Sequence, residues 1–198
     1  MRFRARLVAR GLMVRTVTLV DATLVESARR KPGRAEIAGG SAGDPEATYA
    51  TKGGKAYYGY KAHIAADGEH TLIRAAELTT ASTHERRKFK DVCPADTGVA
   101  IADKAYAGAG HEARLRERGI LSGIMQPPRR NHPLSAGQAE ANGWLAAMRA
   151  GIEKIFGHWK RVLGWRRLRY TGLAKGALEL QFKSVAWNLR RLVTLCAA

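Results

Sequence analysis

Acid is scarce in this chain. Across 198 residues, 17 Asp and Glu stand against 34 Lys and Arg, a net charge of +17. So basic a domain points to a polyphosphate partner, nucleic acid ahead of a membrane surface. Cysteine is scarcer still: Cys93 and Cys196 lie far apart and form no CxxC pair. That excludes a cysteine framework and makes a reduced, cytoplasmic protein the expectation. No apolar run approaches the roughly 18 residues of a membrane span. The basic residues 1–6 are not followed by an apolar core with a small-residue cleavage site, so they are no secretory signal. The six histidines show neither HExxH nor zinc spacing. Gly53-Gly54-Lys55 lacks the leading glycine and the hydroxyl of a phosphate loop, and no GxSxG occurs.

What is present describes a folded domain. Apolar content of 45% with only six prolines supports a packed core. Residues 14–25 are rich in β-branched side chains and predict a strand with Asp21 inside it. Residues 28–54 carry Lys31-Pro32-Gly33, Gly39-Gly40, Gly43-Asp44-Pro45 and Gly53-Gly54, the marks of a long mobile loop. Tyr57–Ile64 and Leu72–Leu78 read as strands joined by a turn at Asp67-Gly68, and Val99–Asp103 as a short strand ending in an acid. A helix over His111–Arg118, a strand over Ile120–Met125, a helix from Ser135 to about Phe156 or beyond, and a helix over Lys175–Leu195 complete the order. The pattern predicts one α/β domain over residues 1–198, a mixed sheet flanked by helices with a basic helical C-terminus near 135–198. The runs Arg86-Arg87-Lys88 and Arg129-Arg130 read equally as solvated charge or as phosphate contacts.

Three acids stand apart. From Glu153 onward the only other acid is Glu179. Leu145, Met148, Ile152, Ile155, Phe156 and Trp159 form a core-facing stripe, and Arg149, Glu153 and Lys160 fall within about 40° of one another beside it. Glu153 is then either an i,i+4 partner of Arg149 or a metal ligand. Asp21 within an apolar strand is costly to bury unless paired or metal-bound, unless the strand end turns to solvent. Asp103 ends a strand, where α/β folds often place chemistry and where acids also cap turns. Together the three offer hard oxygen ligands suited to Mg²⁺ or Mn²⁺, and two such ions about 4 Å apart act on a phosphodiester. Tyr57, Tyr58 and Tyr60 fit base stacking or cross-strand packing.

Four stretches carry a resemblance: Thr18–Val25, Tyr58–His63, Ala102–Gly108, and Arg149–Lys160 with Arg169–Lys175. In this order they resemble the DDE transposases of bacterial insertion sequences, in particular the insertion-sequence-five group of the insertion-sequence-four-like type. The spacing R-(3)-E-(6)-K is met by Arg149, Glu153 and Lys160. The resemblance implies an RNase H-like five-stranded mixed sheet, with Asp21 on the first strand, Asp103 at or just after the fourth, and Glu153 on a late helix. It implies cleavage of transposon-end DNA on two Mg²⁺ ions, replaceable by Mn²⁺ and held by Asp21, Asp103 and Glu153. Transfer of the 3′-hydroxyl into target DNA would follow. Arg149, Lys160, Lys61, Arg161, Arg169 and Lys175 would hold DNA, with a homodimer assembled on it and no membrane, in a nucleoid-associated cytoplasmic protein. The chain departs from the family at Ala146, where a Tyr is usual, at Ala105, where a Gly is usual, and at Thr83-His84-Glu85, where a His-Asp pair is common. The helical N-terminal domain of such enzymes is expected to be missing, which leaves a second reading, a truncated and inactive DNA-binding remnant or regulator.

Overall fold

The most apolar strand organises the sheet. β1 (Val17–Glu26) is buried along most of its length, and its alternate side chains feed two separate cores. The computed structural model describes residues 2–33, 36, 43–128, 130 and 132–197. Before β1, α1 (Arg2–Ala9) packs Leu7 beside Met13 and Leu72. β2 (Thr48–Lys52), β3 (Lys55–Asp67) and β4 (Ile73–Thr80) follow, then α2 (Glu85–Val92) and β5 (Val99–Ala102). A 3₁₀ turn (Lys104–Tyr106), α3 (Ala109–Glu117), β6 (Leu121–Ile124), α4 (Ala136–Arg161) and α5 (Leu173–Cys196) complete the order.

The sheet runs β2-β3-β1-β5-β6, with β4 also paired to β3. β1 lies antiparallel to β3 and parallel to β5, and β5 parallel to β6. Leu19, Ile64 and Ile101 meet Ile152, Ile155 and Trp159 of α4 and Leu180 of α5 on one face. Val20, Ala65 and Ala100 meet Phe89 and Val92 of α2 and Leu115 of α3 on the other. This is the expected α/β arrangement, an RNase H-like mixed sheet between helices.

Several expectations need correction. Among the described residues the sheet has six strands, because residues 48–52 of the expected loop pair with β3. The middle of that loop, 34–35 and 37–42, and Arg129 of the second basic run lie outside the described residues. Arg86-Arg87-Lys88 falls in a helix: α2 buries Phe89 and Val92 and turns its charges outward. Within α4 the inward stripe is rotated. Met148 is 47% exposed, and Arg149 takes the inward position at 7%. The helix also passes through Gly151, where a Cβ would lie 3.1 Å from Thr71 and 3.2 Å from Leu19 side-chain methyls, a tight approach of α4 to the sheet.

Candidate active site

Parallel pairing sets the first two acids side by side. The register runs from Val17 opposite Val99 to Val20 opposite Ala102, so the next residues in each strand are Asp21 and Asp103. β5 stops there because Asp103 turns the chain: its Oδ1 accepts the Lys104 N–H at 2.6 Å and caps the 3₁₀ turn. β1 continues to Glu26, so among the described residues its edge beyond Val20 is open until residues 166–168 join it at Glu26.

α4 packs over these strands, and Arg149 reaches from it to the open edge. Its Nη2 donates to Asp21 Oδ2 at 2.9 Å, and its Nη1 lies 3.8 Å from Glu153 Oε1 one turn further on. Arg149 thus touches two of the three acids. Nη1 also lies 3.8 Å from Met125 Sδ, while the buried Nε has no hydrogen-bond partner among the described residues. Asp21 Oδ1 accepts the Ala22 N–H at 2.8 Å. Burial nevertheless dominates and raises the Asp21 carboxyl to about 6, against the opposing pull of Arg149 and the Ala22 N–H and with a further push from Glu85. The Glu153 side chain is 61% exposed at the mouth of the site.

Two residues that sequence reasoning did not assign also belong here. Glu85 opens α2, and its Oε1 lies 3.6 Å from Lys61 Nζ, which also donates to the Thr83 carbonyl at 2.9 Å. The expected DNA contact Lys61 is therefore held within the protein. Tyr106 is buried with a hydroxyl that has no partner among the described residues. Burial first, then Glu85, Asp21 and Asp103, push that hydroxyl well above its ordinary range. The signal was the Thr83-His84-Glu85 stretch itself, where an acid follows His84.

The expected cations divide. Lys160 and Arg161 lie at the end of α4, seven and eight residues beyond Glu153. Arg169 and Lys175 instead line a cavity of about 590 Å³ with Tyr170, Leu178 and Phe182. There the Arg169 N–H donates to Glu179 at 3.0 Å.

The family model of the transposase DDE domain matches residues 13–189. The chain belongs to that family. A curated relative, the transposase for insertion sequence element IS1106 of Neisseria meningitidis serogroup B, is 30% identical over 98% of this chain and 71% of its own length. The DDE domain is thus a DNA transposase domain, and its partner is DNA. No helix among the described residues is long and apolar enough to cross a membrane.

The family generally uses divalent metal ions. As the side chains of this DDE domain stand, no three His, Cys, Asp or Glu among the described residues are gathered closely enough to hold one. The donor chemistry fits all the same. Asp21 is a buried carboxylate whose ionised form one guanidinium does not fully stabilise, so it favours a stronger cation. Asp103 occupies the neighbouring register position, and Glu153 is exposed enough to turn.

Proposed function

We propose that this domain cleaves transposon-end DNA and joins the freed 3′-hydroxyl to target DNA, with Asp21, Asp103 and Glu153 as ligands of two Mg²⁺ ions that Mn²⁺ can replace. The observation that carries this reading is the parallel β1–β5 register, with Asp21 and Asp103 at the first two positions beyond it and the Arg149–Glu153 turn packed above. Bound there, divalent ions would activate a water or a 3′-hydroxyl and neutralise charge on the departing oxygen.

The protein's own groups supply the rest. In cleavage the water oxygen bonds to phosphorus, the P–O3′ bond breaks, and the 3′ oxygen takes a proton. In transfer that 3′-hydroxyl loses its proton as its oxygen bonds to a target phosphorus, the target's P–O3′ bond breaks, and the released target 3′ oxygen takes a proton. Arg149 orients Asp21 and offsets part of its charge, leaving Glu153 at the entrance to complete the ligand set. Lys160 and Arg161 hold DNA phosphates whose charge three carboxylates would otherwise repel. Joining two ends asks for two copies of the chain on DNA.

The competing reading, a DNA-binding remnant that cuts nothing, draws on the ion pairs that engage Arg149 with both Asp21 and Glu153. Nicking of DNA carrying the element's ends separates the two. Cleavage that needs Mg²⁺ and vanishes in Asp103→Asn, with DNA affinity retained, supports the enzyme. No cleavage by wild type, or equal cleavage by the variant, rejects the assignment.

A further inference from the structure

β1 ends opposite Gly59, but the β2–β3 pair continues past it. The Ser27 N–H still donates to the Tyr58 carbonyl at 3.0 Å, so residues 50–57 form a two-stranded ribbon that projects beyond the sheet. Its end is the Lys52–Lys55 pair, closed by Gly53 and Gly54 at φ +58° and +74°. A two-residue turn with both central residues at positive φ matches the twist of the strands and asks for glycine. Lys52 through Ala56 are all exposed.

Cations from other elements lie along this ribbon and beside its base. Lys55 Nζ lies 5.4 Å from the centre of the Tyr57 ring, and Lys31 Nζ lies 5.3 Å from that of Tyr49. Arg166 sits beside the end of β1, where its carbonyl accepts the Glu26 N–H at 2.9 Å. Lys160, at the end of α4, is disfavoured as a cation by burial and then by the charges of Lys52 and Arg166. The nearby acids are engaged elsewhere: Glu26 pairs with Arg167 at 3.0 Å, and Glu46 accepts the Leu173 N–H at 3.0 Å. Among the described residues no ion pair joins Lys52, Lys55, Lys160 or Arg166 to an acid. Like charges gathered without counter-charge make a seat for anions.

The strip has a direction. Asp21 pairs with Ile64, and the ribbon end at Lys55 lies nine residues away along β3. That is about 30 Å of strand, or about nine base pairs of duplex at roughly 3.4 Å each. Lys160 stands about 10 Å beyond Glu153 along α4 and feels the charges of Lys52 and Arg166.

We propose that the β2–β3 ribbon is a second DNA contact, in which Lys52 and Lys55 grip backbone phosphates about nine base pairs from the bond being cut. The assignment rests on the transposase reading of the acid site and extends it to a track along one side of the domain. The test uses Lys52→Gln/Lys55→Gln, with the α2 variant Arg87→Gln/Lys90→Gln as an equal loss of exposed charge. Binding to a duplex carrying the element's end is measured over a salt series, with hydroxyl-radical protection of the same duplex. The ribbon variant is expected to lower the slope of log K against log salt by about 2 and to lose protection at the distal edge, while the α2 variant keeps both. A ribbon variant with wild-type slope and footprint overturns the ribbon assignment alone. Wild-type protein that does not bind the duplex overturns the transposase reading beneath it.

Discussion

The Arg149 guanidinium lies 2.9 Å from the Asp21 carboxylate and bridges α4 to β1 across the open edge of the sheet. Both side chains are largely buried, so removing Arg149 leaves the Asp21 charge without its counter-ion, whereas Arg149 also has Glu153 at 3.8 Å. Arg149→Ala is expected to destabilise the domain by about 3 kcal/mol at pH 8. The loss should be smaller at pH 5, where Asp21 is mostly protonated in the folded state. Denaturant melts at the two pH values check this; equal losses would contradict a charge-based role.

Asp21 itself is a stability cost that function explains. Its carboxyl is raised to about 6 from 3.8, so the folded state holds the proton more tightly than the unfolded one. The benefit is complete below about pH 4 and fades as pH rises through about 6. Asp21→Asn is therefore expected to stabilise the metal-free domain at pH 8, by up to about 3 kcal/mol, while abolishing cleavage. Saturating Mg²⁺ should raise the melting temperature of wild type and leave the variant unmoved. A variant less stable than wild type at pH 8 would show that Asp21 is held chiefly for structure.

Glu153 stands 61% exposed, and among the described residues its only ion pair is the 3.8 Å contact to Arg149. Such a pair contributes little to stability. Glu153→Gln should melt within about 0.5 kcal/mol of wild type, bind end DNA as tightly, and fail to nick it. Retained nicking would move the third ligand to another acid.

Asp44 anchors the descending end of the 28–47 connection. It is 1% exposed, and its carboxylate accepts the Tyr60 hydroxyl at 2.9 Å and the Ser27 hydroxyl. The Tyr58 hydroxyl donates to its carbonyl at 2.6 Å. Asp44→Ala leaves two buried hydroxyls without their acceptor and is expected to cost about 2 to 4 kcal/mol. Thermal denaturation tests it, and a cost under about 0.5 kcal/mol would mean the network is dispensable.

Most of the layered order was readable from sequence because apolar runs and turn residues are local signals. β1, β5 and the long helices behave this way, and Ser135 does form the capping box that opens α4. β2 was hidden because Thr48–Lys52 carries no buried face. α2 was hidden because Phe89 and Val92 alone mark its inner side amid six charged residues. The acids were legible as types in unusual places, but their juxtaposition was not. It depends on a parallel register between strands 82 positions apart, a pairing that leaves no local trace. Arg149 was read as flanking the stripe; the helix instead turns it inward, because Asp21 supplies a partner that no helical periodicity encodes. Of the three tyrosines, Tyr58 and Tyr60 are packing residues whose hydroxyls serve Asp44.

The most direct measurement is anomalous diffraction from crystals of the domain soaked in Mn²⁺. The account predicts manganese between Asp21 and Asp103 with Glu153 turned in beside them, and the 2.9 Å contact of Arg149 to Asp21 lengthened or broken. Manganese absent from Asp21 and Asp103, with the Arg149 pair intact at saturating ion, would contradict the three-acid metal site and leave a domain that binds DNA without cutting it.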